Sequence, residues 1–285
     1  MFDAIVFAGG GNRCYWQGGF YEAAADRLGA PSLAVGVSAG AFACIYSLLG
    51  IGPKVRERVL AACGPHLQNI DLAGWRAGGR LYPVGTMYRA LLDAVIDDAA
   101  LARLQDLIDL RIAISRLPRG LSATVGAAIG IGAYQLEKRL LHPVHPRFGR
   151  TLGFRSEFVR VRALESASEL CTLLIASASV PPFMPIVEIG GRPALDGGLV
   201  DNVPVEPIEA AGGRTLVLLT RRYDHLPSAP GRTYVQPSQP IRAKQFDVTN
   251  PDGIRTAYEL GLADGRAFGQ SVASSAVILN AKANP

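Results

Sequence analysis

Cysteine is scarce in this chain: Cys14, Cys44, Cys63 and Cys171 are the only four. They lie far apart with no metal-ligand spacing, so neither a thiolate metal site nor a disulfide framework is expected, only reduced, buried thiols. Long apolar runs are also missing. The stretch with the best claim to span a membrane, Gly120 to Leu136, is about the minimum length. It is interrupted by several glycines, Ser122, Thr124 and Gln135, and is expected to be a buried or interfacial helix. The opening MFDAIVFAGGG lacks a basic n-region and meets a glycine-rich turn too early to read as a secretory signal. Charge of one sign is never concentrated. The 29 basic and 24 acidic residues leave a net +5, and arginines such as Arg56, Arg58, Arg103, Arg139 and the Arg221-Arg222 pair are scattered. With no basic stripe interleaved with aromatics, nucleic acid is not expected as a partner. The small positive balance suits approach to anionic lipid headgroups. These absences together point to a cytoplasmic protein with peripheral membrane contact, and leave signal-free export open.

What is present is core-forming material. Apolar types make up 49% of the 285 residues and charged types 19%, which argues for a folded globular chain. No linker or repeat divides it, so one domain over residues 1–285 is expected, with inserted, largely helical material at about 53–156. Phe2 to Ala8 reads as a buried strand ended by glycines, and Gln17 to Leu28 as a helix stopped at Gly29-Ala30-Pro31. Leu33 to Gly36 reads as a second strand, and Ala39 to Leu49 as a second helix ended by Gly50. Such βαβα alternation predicts a parallel sheet covered by helices. Further helices are expected at Val55–Cys63, Thr86–Ile96, Ser168–Ala176 and Ile254–Phe268. Strands are expected at Arg111–Ser115, Phe158–Val161 and Thr215–Leu219, with a last edge strand at Ala276–Leu279.

Three motifs carry chemistry. Gly36-Val37-Ser38-Ala39-Gly40 joins a predicted strand to a predicted helix, the context of a nucleophile elbow. There the serine hydroxyl meets the positive end of a helix, which favours a developing alkoxide or oxyanion. Gly9-Gly10-Gly11-Asn12-Arg13 comes after the first strand, and consecutive glycines let backbone N–H groups converge as an anion-binding nest. Arg13 would add charge there or hold a substrate phosphate. A dinucleotide fingerprint fits poorly, because Cys14 occupies the place of the third glycine and no acidic residue ends the next strand. The third motif, Asp196-Gly197-Gly198, presents a carboxylate on a tight turn, although Asp-Gly alone is an ordinary turn signal.

A serine needs a base to take its proton. Of the four histidines, His66, His142, His145 and His225, only His225 gives the chain order Ser38, Asp196, His225 of an α/β-hydrolase triad. It sits in a polar loop, and only one strand precedes the elbow strand. The other option is Asp196 acting directly on Ser38, which burial would favour by raising its basicity.

The three motifs together resemble the patatin-like phospholipase family, whose pattern is a GGGxR loop, then GxSxG, then a distant D-G-G/A. Ala176 to Pro185 is similar to the family's Ala/Ser-rich, proline-containing segment before the aspartate. Asp201-Asn202-Val203-Pro204 resembles the family's segment just after that aspartate. The resemblance covers roughly residues 4 to 220, with one departure: Cys14 stands where the family often has glycine. It implies a three-layer α/β/α fold with a mostly parallel central sheet, and a Ser38–Asp196 dyad working without histidine, metal or cofactor. Gly10 and Gly11, within the Gly9–Gly11 run and with Arg13 nearby, would form the oxyanion hole. Gly36, Gly40, Gly197 and Gly198 would shape the turns. The implied substrate is a phospholipid or other fatty acyl ester. A non-catalytic lipid-binding protein using the same pocket is the contrasting reading, although one would not need to keep both Ser38 and Asp196.

Overall fold

The computed structural model of the chain describes residues 1–282, with side chains through residue 271. The first half holds β1 (Ala4–Phe7), α1 (Tyr15–Leu28), β2 (Leu33–Val37), α2 (Ala39–Leu48), α3 (Gly52–Ala62), α4 (Leu72–Arg76), α5 (Val84–Val95), α6 (Asp98–Leu107), β3 (Asp109–Arg116) and α7 (Ala123–Leu140). Then come α8 (Phe148–Thr151), β4 (Arg155–Arg160), α9 (Ala167–Ser177), β5 (Val187–Ile189), β6 (Arg192–Asp196), α10 (Glu206–Glu209), β7 (Thr215–Leu218), β8 (Arg232–Val235) and α11 (Pro251–Lys282).

The strands form one eight-stranded sheet in the order β5-β6-β3-β2-β1-β7-β8, with β4 also paired to β3. The stretch β3-β2-β1-β7-β8 is parallel throughout, while β4, β6 and β5 add antiparallel pairings. All four residues of β1 are buried, as expected of a central parallel strand with both faces covered. Its alternation sorts them between two cores. Ile5 and Phe7 join the large core beneath the helices, while Ala4, Val6 and Ala8 join a smaller one with Val203, Val205 and Ile208. The result is a mixed α/β fold with a mostly parallel sheet between helical layers.

The region at 53–156 contributes more than helices. β3 lies within it and is the strand that β2, β4 and β6 all share. Among the described residues, no helix is long and apolar enough to cross a membrane. Gly120–Leu136 falls largely in α7, whose start is capped by the Ser122 hydroxyl accepting the Val125 amide. The edge strand expected at Ala276–Leu279 is corrected. Those residues continue α11: only Val277 and Ile278 among them are β-branched, and no proline between Pro251 and Ala276 ends the helix before them. The four cysteines are buried free thiols.

Strand register positions the site. β4 covers one edge of β3 from Arg111 to Arg116, so β2 and β6 must share the other. β2 runs up that edge until Val37 faces Ala113. β6 runs down it until Asp196 faces Ile114. Two strands that are distant in sequence therefore meet head-on, with Ser38 directly after one and Asp196 closing the other.

Candidate active site

Ser38 stands between β2 and α2 with φ 56° and ψ −139°, a backbone region that costs a non-glycine residue about 1–3 kcal/mol. The turn is tight enough to dictate its flanks. A Cβ on Gly36 would lie 2.5 Å from Ala41 Cα, and one on Gly40 would lie 2.3 Å from the Ala8 carbonyl oxygen. The strained turn is held by Ser177 at the end of α9. Its hydroxyl accepts the Ser38 amide at 2.8 Å and donates to the Ala113 carbonyl at 2.7 Å.

The Ser38 hydroxyl donates to Asp196 Oδ2 at 2.7 Å. The other carboxylate oxygen accepts the Gly198 amide at 2.7 Å, and the Asp196 amide donates to the Ser179 carbonyl at 2.9 Å. Gly197 must be small, because a Cβ there would meet the Ala113 carbonyl oxygen at 2.6 Å. Asp196 is buried. Desolvation pushes its carboxyl up from 3.8 to about 6, against the opposing pull of its hydrogen bonds to Ser38 and Gly198. The result is a carboxylate of raised basicity in direct contact with a serine hydroxyl.

The glycine run divides in two. Gly9 is fixed into the fold: its amide donates to the Asn202 carbonyl, and its own carbonyl accepts from Asn202 Nδ2 at 3.0 Å and from the Thr220 hydroxyl at 2.6 Å. Gly10 and Gly11 instead line the cavity that holds Ser38 and Asp196. Their amides donate to no acceptor among the described residues. Arg13 turns back on the loop, with Nε donating to the Gly10 carbonyl at 3.3 Å, and is absent from the residues lining either cavity at Ser38. It braces the loop through this hydrogen bond. Cys14 fits without a glycine's freedom, since its φ of −68° is ordinary helical backbone.

A second cavity opens from Ser38 and is mainly apolar, lined by Phe42, Tyr46, Val84, Tyr88 and Met184. Gln245 and Phe246 border both cavities. They are held over the glycine run by the Asn12 amide donating to the Gln245 carbonyl at 3.0 Å, and by Asn12 Nδ2 donating to the Asp247 carbonyl at 2.7 Å. Phe246 stacks on Phe183 with centroids 4.8 Å apart.

The residues that sequence reasoning missed are Ser177, Asn202, Thr220, Gln245 and Phe246. Ser177 and Asn202 lie in the two segments flanking the aspartate turn, where the resemblance assigns neither a role. The others sit outside every motif and give no local signal.

His225 does not join the site. It lines a separate groove with Pro143, Arg221 and Tyr223, and both Asp196 oxygens are taken by Ser38 and Gly198. A histidine–carboxylate contact lies elsewhere, where His145 Nδ1 is 3.3 Å from Asp201 and Nε2 is 3.0 Å from the Tyr234 hydroxyl. Among the described residues no cluster of His, Cys, Asp and Glu could hold a metal ion.

The structure is similar to the crystal structure of VipD from Legionella pneumophila, with a TM-score of 0.45 and 10% identity, over 95% of this chain and 67% of that one. No match was found among curated proteins. The sequence profile described as Patatin-like phospholipase matches residues 5–208, which takes in the glycine run, the elbow and the aspartate turn. The chain belongs to the patatin-like phospholipase family.

Proposed function

We propose that the chain is a lipid acyl hydrolase in which Ser38 is the nucleophile and Asp196 its base. The observation that carries this reading is the 2.7 Å hydrogen bond from the Ser38 hydroxyl to a buried carboxylate, made at a strained strand-to-helix turn. Asp196 takes the Ser38 proton as Oγ bonds to the ester carbonyl carbon. The carbonyl π electrons move to oxygen, which receives hydrogen bonds from the Gly10 and Gly11 amides. The tetrahedral adduct collapses, the C–O bond to the alcohol breaks, and the departing oxygen takes the proton back from Asp196. Water then gives a proton to Asp196 and attacks the acyl-Ser38 carbonyl. Collapse releases the fatty acid and returns the proton to Ser38.

The direct contact between the two side chains supports a dyad over a triad through His225. The apolar cavity at Ser38, walled by Phe42, Val84 and Met184, favours an acyl chain over a short polar acid. Hydrolysis of p-nitrophenyl acyl esters tests the reading. The parent should turn over, Ser38→Ala should fall to background with its fold retained, and activity retained in that variant would overturn the assignment.

A further inference from the structure

Helix α7 presents two faces with different work. Its inner face packs Ala127 in a small core with Phe154, Leu195 and Leu199, and Ile131 and Tyr134 line the cavity that holds Ser38. Glu137 also points inward: it is 3% exposed, and its carboxylate accepts the Arg147 and Phe148 amides at 2.7 and 2.8 Å. The outer face is apolar and open to solvent. Val125 is 50% exposed, Ile129 40%, Leu136 53% and Leu140 65%. Steps of four, seven and four residues keep these side chains on one stripe. Leu121 before the helix and Leu141 after it are exposed as well. An apolar surface of this length on a folded chain marks an interaction site.

Charge identifies the occupant. Glu137 is the only acidic residue between Arg119 and Leu141, and it is turned inward. Arg119 and Arg139 are exposed at the two ends of the segment, and among the described residues neither takes part in a salt bridge. A long apolar stripe flanked by unpaired arginines, with no exposed acid, has the chemistry of the boundary between acyl chains and anionic headgroups. The 18 residues of α7 extend about 27 Å at 1.5 Å per residue, enough to lie along that boundary.

We infer that the outer face of α7 docks in the plane of an anionic lipid surface. The choice of a bilayer rests on the lipid acyl hydrolase reading above. Docked in this way, α7 places the membrane on one side of itself and the Ser38 cavity on the other, so a lipid reaches the site by passing one helix.

The test is cosedimentation with vesicles in a Ser38→Ala background, where hydrolysis cannot alter the lipid. The chain should bind vesicles of phosphatidylcholine with about 30 mol% phosphatidylglycerol and bind pure phosphatidylcholine more weakly. The triple variant Val125→Gln/Leu136→Gln/Leu140→Gln changes only exposed positions to a good helix former. It should lose at least about tenfold in vesicle affinity while keeping its melting temperature. With Ser38 intact, it should hydrolyse p-nitrophenyl butyrate at the parental rate. Arg119→Gln with Arg139→Gln should weaken binding to the anionic vesicles alone. Equal vesicle binding by parent and triple variant would overturn the inference. So would light scattering that shows a parental dimer split by the triple substitution with vesicle binding unchanged. Vesicle binding without hydrolysis of any ester by the Ser38 parent would sustain the docking face and overturn the hydrolase reading instead.

Discussion

The hydroxyl of Ser177 accepts the amide of Ser38 at 2.8 Å, tying the strained elbow to the end of α9 and, through the Ala113 carbonyl, to the central strand of the site. Ser177→Ala would leave the Ser38 amide without its acceptor in a buried turn. Stability should fall by about 1–3 kcal/mol. The turnover of a p-nitrophenyl ester should drop at least about tenfold, because small displacements of a nucleophile are costly. Chemical denaturation and steady-state kinetics on the same preparation check both halves.

The protonation state of Asp196 sets the acid limb of activity. The proposed base works only when ionised, and burial holds its carboxyl at about 6. The value of kcat/KM should therefore rise with pH through about 6 and level off above it. A profile already flat from about pH 4.5 upward would remove Asp196 from the role of base.

That raised value also makes Asp196 a cost to the fold. A carboxyl whose folded value of about 6 exceeds its ordinary 3.8 binds more protons folded than unfolded between those two values. Its stabilising contribution is complete below the lower value and is lost as pH rises through the upper one. At about pH 8 the ionised form costs about 3 kcal/mol. Asp196→Asn can still accept the Gly198 amide and donate to Ser38, so it should abolish turnover and raise stability at that pH by up to about 3 kcal/mol. The gain should vanish near about pH 4. Thermal melts of both proteins at the two pH values measure it.

The elbow has no room at Gly40. A Cβ there would sit 2.3 Å from the Ala8 carbonyl oxygen and 2.7 Å from that of Phe7, both backbone atoms at the end of β1 that cannot swing aside. Gly40→Ala should cost about 1–3 kcal/mol or more and remove most ester turnover. A stable, active Gly40→Ala protein would mean that the turn is looser than described.

His225 offers the complementary control. It lines a groove apart from the site, so His225→Ala should leave kcat and KM for a p-nitrophenyl ester near parental values. A loss of about a hundredfold or more would restore the triad.

Local patterns carried the fold a long way. The apolar run at β1, the glycine stops after it and the helical spacing of α1 are short-range signals, and these two elements lie within a few residues of their expected positions. Ser38, Asp196 and the Gly10–Gly11 amides were legible because each needs a special turn that glycine marks. What joins them was not legible. The head-on meeting of β2 and β6 along one edge of β3 depends on register between strands far apart in the chain, and no local pattern records that. Ser177 looks like any helix-terminal serine until Ser38 is placed beside it. Gln245 and Phe246 lie in a stretch with no regular structure, so periodicity could not have found them. Arg13 was legible only as part of its motif; that its guanidinium bonds to the Gly10 carbonyl depends on the fold of the loop, which the spacing does not record. At Ala276–Leu279 side-chain preference suggested a strand, and helix continuity prevailed.

A Ser38 hydroxyl activated by Asp196 should react as a nucleophile with a serine-directed electrophile. The most direct measurement is the site and rate of labelling by a fluorophosphonate, read by peptide mass spectrometry. One adduct is expected, on Ser38, absent in Ser38→Ala and slowed at least about a hundredfold in Asp196→Asn. An adduct on another residue, or labelling of Ser38 at the same rate in Asp196→Asn, would contradict the activation of Ser38 by Asp196.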